Sequence, residues 1–400
     1  MSTVPAVSAV QLGASDVTVR PLLVLGPSLG TSAQSLWETS GQALATDFHV
    51  LAWDLPGHGA SAAADDGFSI AELATGVLAV VERVLVERGE PGGSFAYAGD
   101  SVGGAVGLQL LLDHPGRITA ATLLCTGAHI GTPQGWAERA ELVRTSGTAA
   151  VVEGSVQRWF APGFPDRRPE VARALLDALR DTDRFSYAWV CDALAGFDVR
   201  ARLGEITTPV LAVAGAVDEP APVGLLREVA DGVAHGRLVV LDDVAHLAPA
   251  EAPAEVARLI THHWLRGRTV EEVREAGLAV RRAVLGDAHV DRATANATDF
   301  TREFQDFITI YAWGSIWTRP GLDRRSRSLI TLTALVARGH HEELAMHIRA
   351  ARTNELTNDE IKELLLQTAI YCGVPDANTA FRIAQGVLAE MDAAASADPG

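Results

Sequence analysis

The sequence predicts two domains of different class: an α/β domain on a mostly parallel sheet, with a helical lid over about 127–197, and an all-helical domain behind it. Three observations predict this division into residues 1–267 and 268–400. Four hundred residues are more than one hydrophobic core usually serves. Up to Trp264, short apolar runs alternate with amphipathic stretches, as strands buried by helices do. Beyond Trp264 the pattern changes: Arg266 to Gly277 is charged and loosely patterned, and from there to Gln385 the periodicity is helical, with no convincing strand.

Pro21 to Leu25 is a continuous apolar run ended by Gly26-Pro27, which reads as a buried strand, and Ser28-Leu29-Gly30-Thr31 is the loop after it. His49 to Asp54 is the next strand, closed by the turn-rich Leu55 to Ser61. Ile70 to Glu87 places Leu73, Val77, Val80, Val81, Val84 and Leu85 at helical spacing, so it should cover one face of the sheet. Phe95 to Ala98 leads into Gly99-Asp100-Ser101-Val102-Gly103, and Gly104 to Leu112 leads out as a small-residue helix. Ile118 to Cys125 is a further strand. The alternation then breaks into helix-like segments carrying Trp136, Trp159 and Trp189, the pattern of a lid; of the three, Trp136 is the candidate to line a pocket. Strands resume at Pro209 to Gly215 and Leu238 to Leu241, and the turns after them carry Asp218 and His246.

In the second domain Glu303 to Trp317, Arg324 to Arg338, His340 to Arg352 and Asn358 to Tyr371 are the clearest helices, the last with Thr357 as N-cap and Glu360 completing a capping box. Ala389 to Gly400 is small and polar and reads as a frayed tail.

Composition narrows the partners. A formal net charge of −17 argues against a nucleic-acid backbone or an anionic membrane surface, so the expected partner is a small molecule, and an anionic one must be met by locally placed arginines. Three scattered cysteines fit a reducing compartment. Met1 to Gln11 has no basic, apolar leader pattern and no run approaches membrane-spanning length, so a cytoplasmic protein is expected.

The G-x-S-x-G pattern between strand and helix is that of a nucleophile elbow, in which glycines admit close backbone packing while the serine hydroxyl is held out for attack. Ser101, Asp218 and His246 follow in the order serine, acid, histidine, each at a predicted strand end, although Asp198, Asp242 and Asp243 are rival acids. In that arrangement His246 takes the serine proton, Asp218 fixes the imidazole tautomer, and the backbone N–H groups of Leu29 and Val102 form the oxyanion hole.

Residues 20–264 resemble the 3-oxoadipate enol-lactonases, enzymes with the α/β-hydrolase fold. Pro27-Ser28-Leu29-Gly30-Thr31, Gly131 to Trp136, Arg158-Trp159-Phe160 and Val244 to Pro249 carry the resemblance. Pro27 stands where that family has Asn, and Asp100-Ser101-Val102 departs from its commoner x-S-M; neither touches the triad.

Residues 277–390 resemble 4-carboxymuconolactone decarboxylase, an all-α family related to alkylhydroperoxidase D. Phe307-Ile308-Thr309, Tyr311 to Gly314, Ile316-Trp317, Arg319 to Asp323, Arg325, Glu343 to His347 and Tyr371 to Pro375 carry it. At helical pitch His340, Glu343 and His347 share a face, where the peroxidase relative has C-x-x-C and a following His. Without those cysteines no thiol redox chemistry is expected. Such a face is also an ordinary Glu–His pair or a metal site, but the resemblance implies an enzyme that needs no cofactor and no metal. His347, oriented by Glu343, is then the candidate acid, and Arg319 and Arg325 are candidates either for docking carboxylates or for salt bridges within the protein.

The two resemblances imply one bifunctional enzyme of the β-ketoadipate pathway. The decarboxylase product, 3-oxoadipate enol-lactone, is the lactonase substrate, and a tether raises the local concentration of the second site around that reactive product. The related families are oligomers, so a homo-oligomer through the C-terminal domain is expected. The alternative is a single-activity ester or lactone hydrolase whose helical domain serves only oligomerisation.

Overall fold

The computed structural model describes residues 4–13, 20–267, 270–319 and 322–397. The chain falls into two compact units, Met1–Gly267 and Arg268–Gly400.

The first unit holds a seven-stranded sheet: β1 (Ser8–Leu12), β2 (Leu22–Gly26), β3 (His49–Asp54), β4 (Phe95–Asp100), β5 (Ile118–Leu124), β6 (Val210–Gly215) and β7 (Gly236–Leu241), in the order β1-β3-β2-β4-β5-β6-β7. All neighbours run parallel except β1, which pairs antiparallel with β3 from Ser8 opposite Asp54 to Leu12 opposite Val50. Every residue of β2, β3 and β4 is buried, which is why these strands are unbroken apolar runs rather than alternating ones. The edge strand β1 is absent from the sequence expectation because five residues with polar neighbours give no such run.

The helix Ile70–Glu87 has the expected bounds. Ser69 caps it, and Glu72 returns a bond to the Ser69 N–H at 2.8 Å. Its buried stripe of Ile70, Leu73, Val77, Val80, Val81 and Leu85 contributes roughly 1.5–3 kcal/mol for each large side chain removed from water. Between β5 and β6 lie only helical elements: Pro133–Ser146, Val152–Trp159, Phe164–Arg167, Pro169–Asp181 and Arg184–Ala195, with short 3₁₀ helices at Thr148–Val151 and Arg200–Glu205. These elements occupy the stretch expected as a lid.

The second unit is helical throughout its described residues: Val270–Leu285, Asp287–Ala295, Arg302–Phe307, Arg324–Ala337, His341–Thr353, Asn358–Cys372 and Val374–Ala397. Thr357 and Glu360 form the expected capping box. Two expectations are corrected. The stretch expected as one α-helix, Glu303 to Trp317, changes at Ile308 into a π-helix that runs to Trp317. Nearly all of those residues are apolar, so their pattern does not separate a 3.6-residue turn from a wider one. The wide turn lies against the helix Val270–Leu285 backbone to backbone: a Cβ on Gly314 would stand 2.3 Å from the Val273 oxygen, and one on Gly277 would stand 2.3 Å from the Thr309 oxygen. The expected frayed tail is instead helical to Ala397, because Leu388 and Met391 pack against the core formed by Leu332, Val336, Leu344, Ile348 and Leu365.

Candidate active sites

Ser101 sits between β4 and the helix Val102–Asp113 with φ 52° and ψ −114°, a backbone conformation that side-chain-bearing residues rarely adopt. The neighbours hold it there. A Cβ on Gly99 would stand 2.3 Å from the Gly103 oxygen, and one on Gly103 would stand 2.6 Å from the Gly26 carbonyl carbon, so the close packing requires glycine at both. Thr126 Oγ1 donates to the Ser101 oxygen at 2.6 Å, Tyr97 Oη to the Gly103 oxygen at 2.7 Å, and Gly103 N–H to the Pro27 oxygen at 2.9 Å.

The three residues expected to act together meet. Ser101 Oγ lies 2.9 Å from His246 Nε2, and His246 Nδ1 lies 3.0 Å from both oxygens of Asp218. Asp218 also accepts the Ala221 N–H at 2.9 Å, which fixes its carboxylate after β6. The rival acids stand elsewhere: Asp198 is paired with Arg200, while Asp242 and Asp243 are exposed in the turn before His246. Among the described residues no hydrogen bond takes up the N–H of Leu29 or Val102, so both remain available to an oxyanion. Ser101, Asp218 and His246 are each about 95 % buried.

Two further acids lie close to this triad. Asp100 is fully buried; burial, then the charge of Asp218, push its pKa well above the carboxylate range, against the pull of the Ser28 side chain. Glu251 divides its oxygens between the Ala245 N–H at 2.9 Å and the Ala161 N–H at 2.8 Å, tying the His246 loop to the lid.

Trp136 is partly buried against the main core, its indole donating to the Ile130 oxygen at 2.6 Å. Beside it is a group the motifs do not single out. The Arg139 guanidinium carbon lies 5.9 Å from the Trp136 ring centroid and 5.7 Å from that of Tyr187, whose hydroxyl accepts Arg139 Nε–H at 2.8 Å. Arg158 is near enough that, after burial, the Arg139 charge is the next cause lowering its proton affinity, opposed by Tyr187 and Glu219. Neither guanidinium ion-pairs with a carboxylate among the described residues, whereas Arg144, Arg168 and Arg180 of the same lid pair with Asp192, Glu170 and Asp177. Two neighbouring guanidiniums without an ion-paired carboxylate among the described residues are suited to docking an anion. The signal available in sequence was Arg158 itself, inside the Arg-Trp-Phe string.

In the helical unit the expected face is only partly assembled. His347 is half-buried; burial lowers its proton affinity, Glu343 raises it and His289 lowers it. Glu343 itself is exposed and makes no hydrogen bond to His347 among the described residues, so the expected orienting bond is replaced by attraction across space. His340 precedes its helix as an exposed cap residue and does not share the face. Arg325 takes the salt-bridge alternative: its guanidinium is engaged by the Glu360 carboxylate and the Glu355 oxygen, partners 30 or more positions away that local spacing does not reveal. Arg319 is exposed, and Pro320 and Gly321 beside it lie outside the described residues. Among the described residues no group of three or more His, Cys, Asp or Glu side chains is placed to hold a metal ion, and no helix is long and apolar enough to cross a membrane.

Comparison with known proteins agrees with this geometry in both units. The model of the "serine aminopeptidase, S33" family matches residues 17–252, and that of the carboxymuconolactone decarboxylase family matches residues 302–386. The chain is 46% identical over 121 residues to 4-carboxymuconolactone decarboxylase of Acinetobacter baylyi, covering 30% of this chain and 90% of that protein. It is 33% identical over 234 residues to 3-oxoadipate enol-lactonase 2 of the same organism, covering 58% and 85%. The solved enol-lactonase of Burkholderia xenovorans LB400 superposes with a TM-score of 0.60 at 31% identity, over 65% of this chain and 96% of that one. The chain thus belongs to two families at once, a serine α/β-hydrolase family through its first unit and the carboxymuconolactone decarboxylase family through its second.

Proposed function

We propose that this chain is a bifunctional enzyme of the β-ketoadipate pathway that converts 4-carboxymuconolactone to 3-oxoadipate through the enol-lactone. The observation that carries this is the Ser101–His246–Asp218 relay, with contacts of 2.9 and 3.0 Å, in a chain whose other unit is 46% identical to a 4-carboxymuconolactone decarboxylase.

In the first step the bond to the ring carboxylate breaks, its electron pair enters the conjugated lactone carbonyl, and CO₂ leaves. His347 delivers the proton that completes the enol-lactone. In the second step Ser101 Oγ attacks the lactone carbonyl as His246 takes its proton, and the N–H groups of Leu29 and Val102 receive the oxyanion, each worth about 3 kcal/mol. The ring oxygen leaves as an enolate, is protonated from His246 and becomes the ketone; water then releases the acid from Ser101 by the same path. Arg139 and Arg158 hold the carboxylate arm, beside Trp136. Asp100 is a buried elbow residue, not the base.

The test is turnover of 4-carboxymuconolactone by the full chain. Wild type should yield 3-oxoadipate, and Ser101→Ala should stop at the enol-lactone, accumulating it beyond its spontaneous decay. Loss of both activities in a folded Ser101→Ala protein, or survival of hydrolysis, refutes the assignment.

Two further proposals accompany this one. A homo-oligomer assembled through the helical unit is supported by the large apolar side chains it leaves exposed, among them Phe300, Phe304, Phe307, Tyr311, Ile370 and Tyr371. Light scattering should give a multiple of the chain mass, and a fully active monomer refutes it. The cytoplasm is the proposed compartment, on the three free thiols Cys125, Cys191 and Cys372.

A further inference from the structure

One buried cation of the helical unit has no ion-paired carboxylate among the described residues. Arg281 stands one turn beyond Gly277 on the helix Val270–Leu285, next to its close crossing with the π-helix. It is 8 % exposed, and its guanidinium donates to Gln305 Oε1 at 3.0 Å and to Thr309 Oγ1 at 3.3 Å. Its Nε–H has no partner, and among the described residues no carboxylate pairs with it. The contrast with its neighbour is direct, since Arg282 pairs with both Asp287 and Asp291. A buried guanidinium held only by neutral oxygens leaves much of its lost hydration uncompensated, a cost that an arriving anion removes.

The surroundings supply the rest of a site. Val284, three residues after Arg281, packs in one apolar cluster with Trp313 of the π-helix and with Ala350, three residues after His347. His289, from the helix Asp287–Ala295, feels the charges of Arg281 and Arg292, and His347 feels those of Glu343 and His289. Two imidazoles and a buried cation therefore gather beside a π-helix, an irregularity that recurs at functional sites.

We infer that Arg281 is the carboxylate-binding residue of the decarboxylase site, holding the acetate arm that the lactone keeps while His289 and His347 stand by the carbon that loses CO₂. The inference rests on the decarboxylase reading above. A cation on the departing carboxylate would stabilise the ground state more than the transition state, in which that charge moves into the ring. A cation on the retained arm binds both states alike, takes no part in the electron flow, and so acts on KM.

The test compares 4-carboxymuconolactone with its acetate-arm methyl ester on full-length wild type, Arg281→Lys and Arg281→Gln. Wild type should favour the free acid by roughly 10- to 100-fold in kcat/KM, mostly through KM. Arg281→Gln should lose that preference with kcat little changed, and Arg281→Lys should fall between. A folded Arg281→Gln protein that keeps the preference overturns the inference and leaves the decarboxylase reading intact, whereas wild type that does not decarboxylate the free acid overturns the reading itself. If Arg281→Gln does not fold, a crystal of wild type soaked with muconolactone, which keeps the arm and has hydrogen in place of the departing carboxylate, decides the matter. The arm should lie within hydrogen-bond distance of the Arg281 guanidinium; an arm bound elsewhere overturns the inference.

Discussion

Glu251 makes the stability of the hydrolase unit depend on pH in a direction unusual for a carboxylate. It closes the short helix Ala248–Glu251, its two oxygens holding Ala245, the residue before His246, and Ala161 of the lid. Burial pushes its pKa up to about 7 from an ordinary 4.5, against the N–H groups of Ala161, Ala245 and Leu247, and the charge of Asp218 adds to the rise. Because the folded value is the higher one, the folded state binds more protons between the two values. The contribution is therefore present in full below 4.5 and is lost as pH rises toward 7. At 1.36 kcal/mol per unit, the shift amounts to about 3 kcal/mol. Asp100 acts with the same sign, so the measurement must be a difference between proteins. Glu251→Gln removes the ionisation and keeps one acceptor for the two N–H groups. The advantage of wild type over this variant should shrink by about 3 kcal/mol between pH 4.5 and 8. Hydrogen exchange of the β4 amides in the intact chain, under conditions where they exchange by global opening of that unit, gives the free energy at each pH. Parallel curves for the two proteins would refute the reasoning.

A chain ending at Gly267 should still fold and hydrolyse the enol-lactone, since triad, oxyanion loop and lid all precede that point; a thermal melt and a hydrolysis assay check this, and an insoluble or inactive product contradicts it. Arg139→Gln and Arg158→Gln should each raise KM for the enol-lactone roughly tenfold with kcat nearly unchanged, the size of one lost charge-assisted bond, and an unchanged KM would remove both from the site. His347→Ala should lower decarboxylation about 100-fold or more while hydrolysis continues at its wild-type rate; near wild-type turnover in a folded variant would make that face structural.

What was legible in the sequence followed from how local each cause is. The elbow was readable because its glycines are imposed by contacts within five residues and across to Gly26, and the triad because α/β topology places successive strand ends along one edge. The cap at Thr357 was readable because its pattern with Glu360 spans four residues. Features that depend on distant partners were not readable. Whether Arg325 met substrate or a salt bridge was open until Glu360 stood beside it, and Arg281 and Arg139 stand out only because, among the described residues, no carboxylate pairs with them. Glu251 sits five residues from His246, yet its importance lies in Ala161, some ninety residues earlier. The π-helix was hidden because its residues are apolar around nearly the whole circumference.

The depressed proton affinity of His347 conflicts with its use as an acid only in the empty site. Burial outweighs the help from Glu343, and His289 adds to the loss, so the free enzyme holds this imidazole mainly neutral at neutral pH. A substrate with two carboxylates reverses the balance. One negative charge about 5 Å away, at an effective dielectric near 20, favours the imidazolium by about 3 kcal/mol, or roughly two pKa units. Substrate binding therefore loads the proton that the reaction consumes, and once that proton is on carbon the product carries one charge fewer and the imidazole is neutral again. Two pH limbs follow. The alkaline limb of kcat/KM, which reports the free enzyme, should lie below the ordinary imidazole value, and that of kcat, which reports the complex, should lie above it. Glu343→Gln should move both limbs to lower pH. Calorimetry with the saturated lactone that keeps both carboxylates but lacks the double bond needed to receive the electron pair, in buffers of different ionisation enthalpy, should show proton uptake near neutral pH in wild type and none in His347→Ala; equal uptake in the two proteins would place the acid elsewhere.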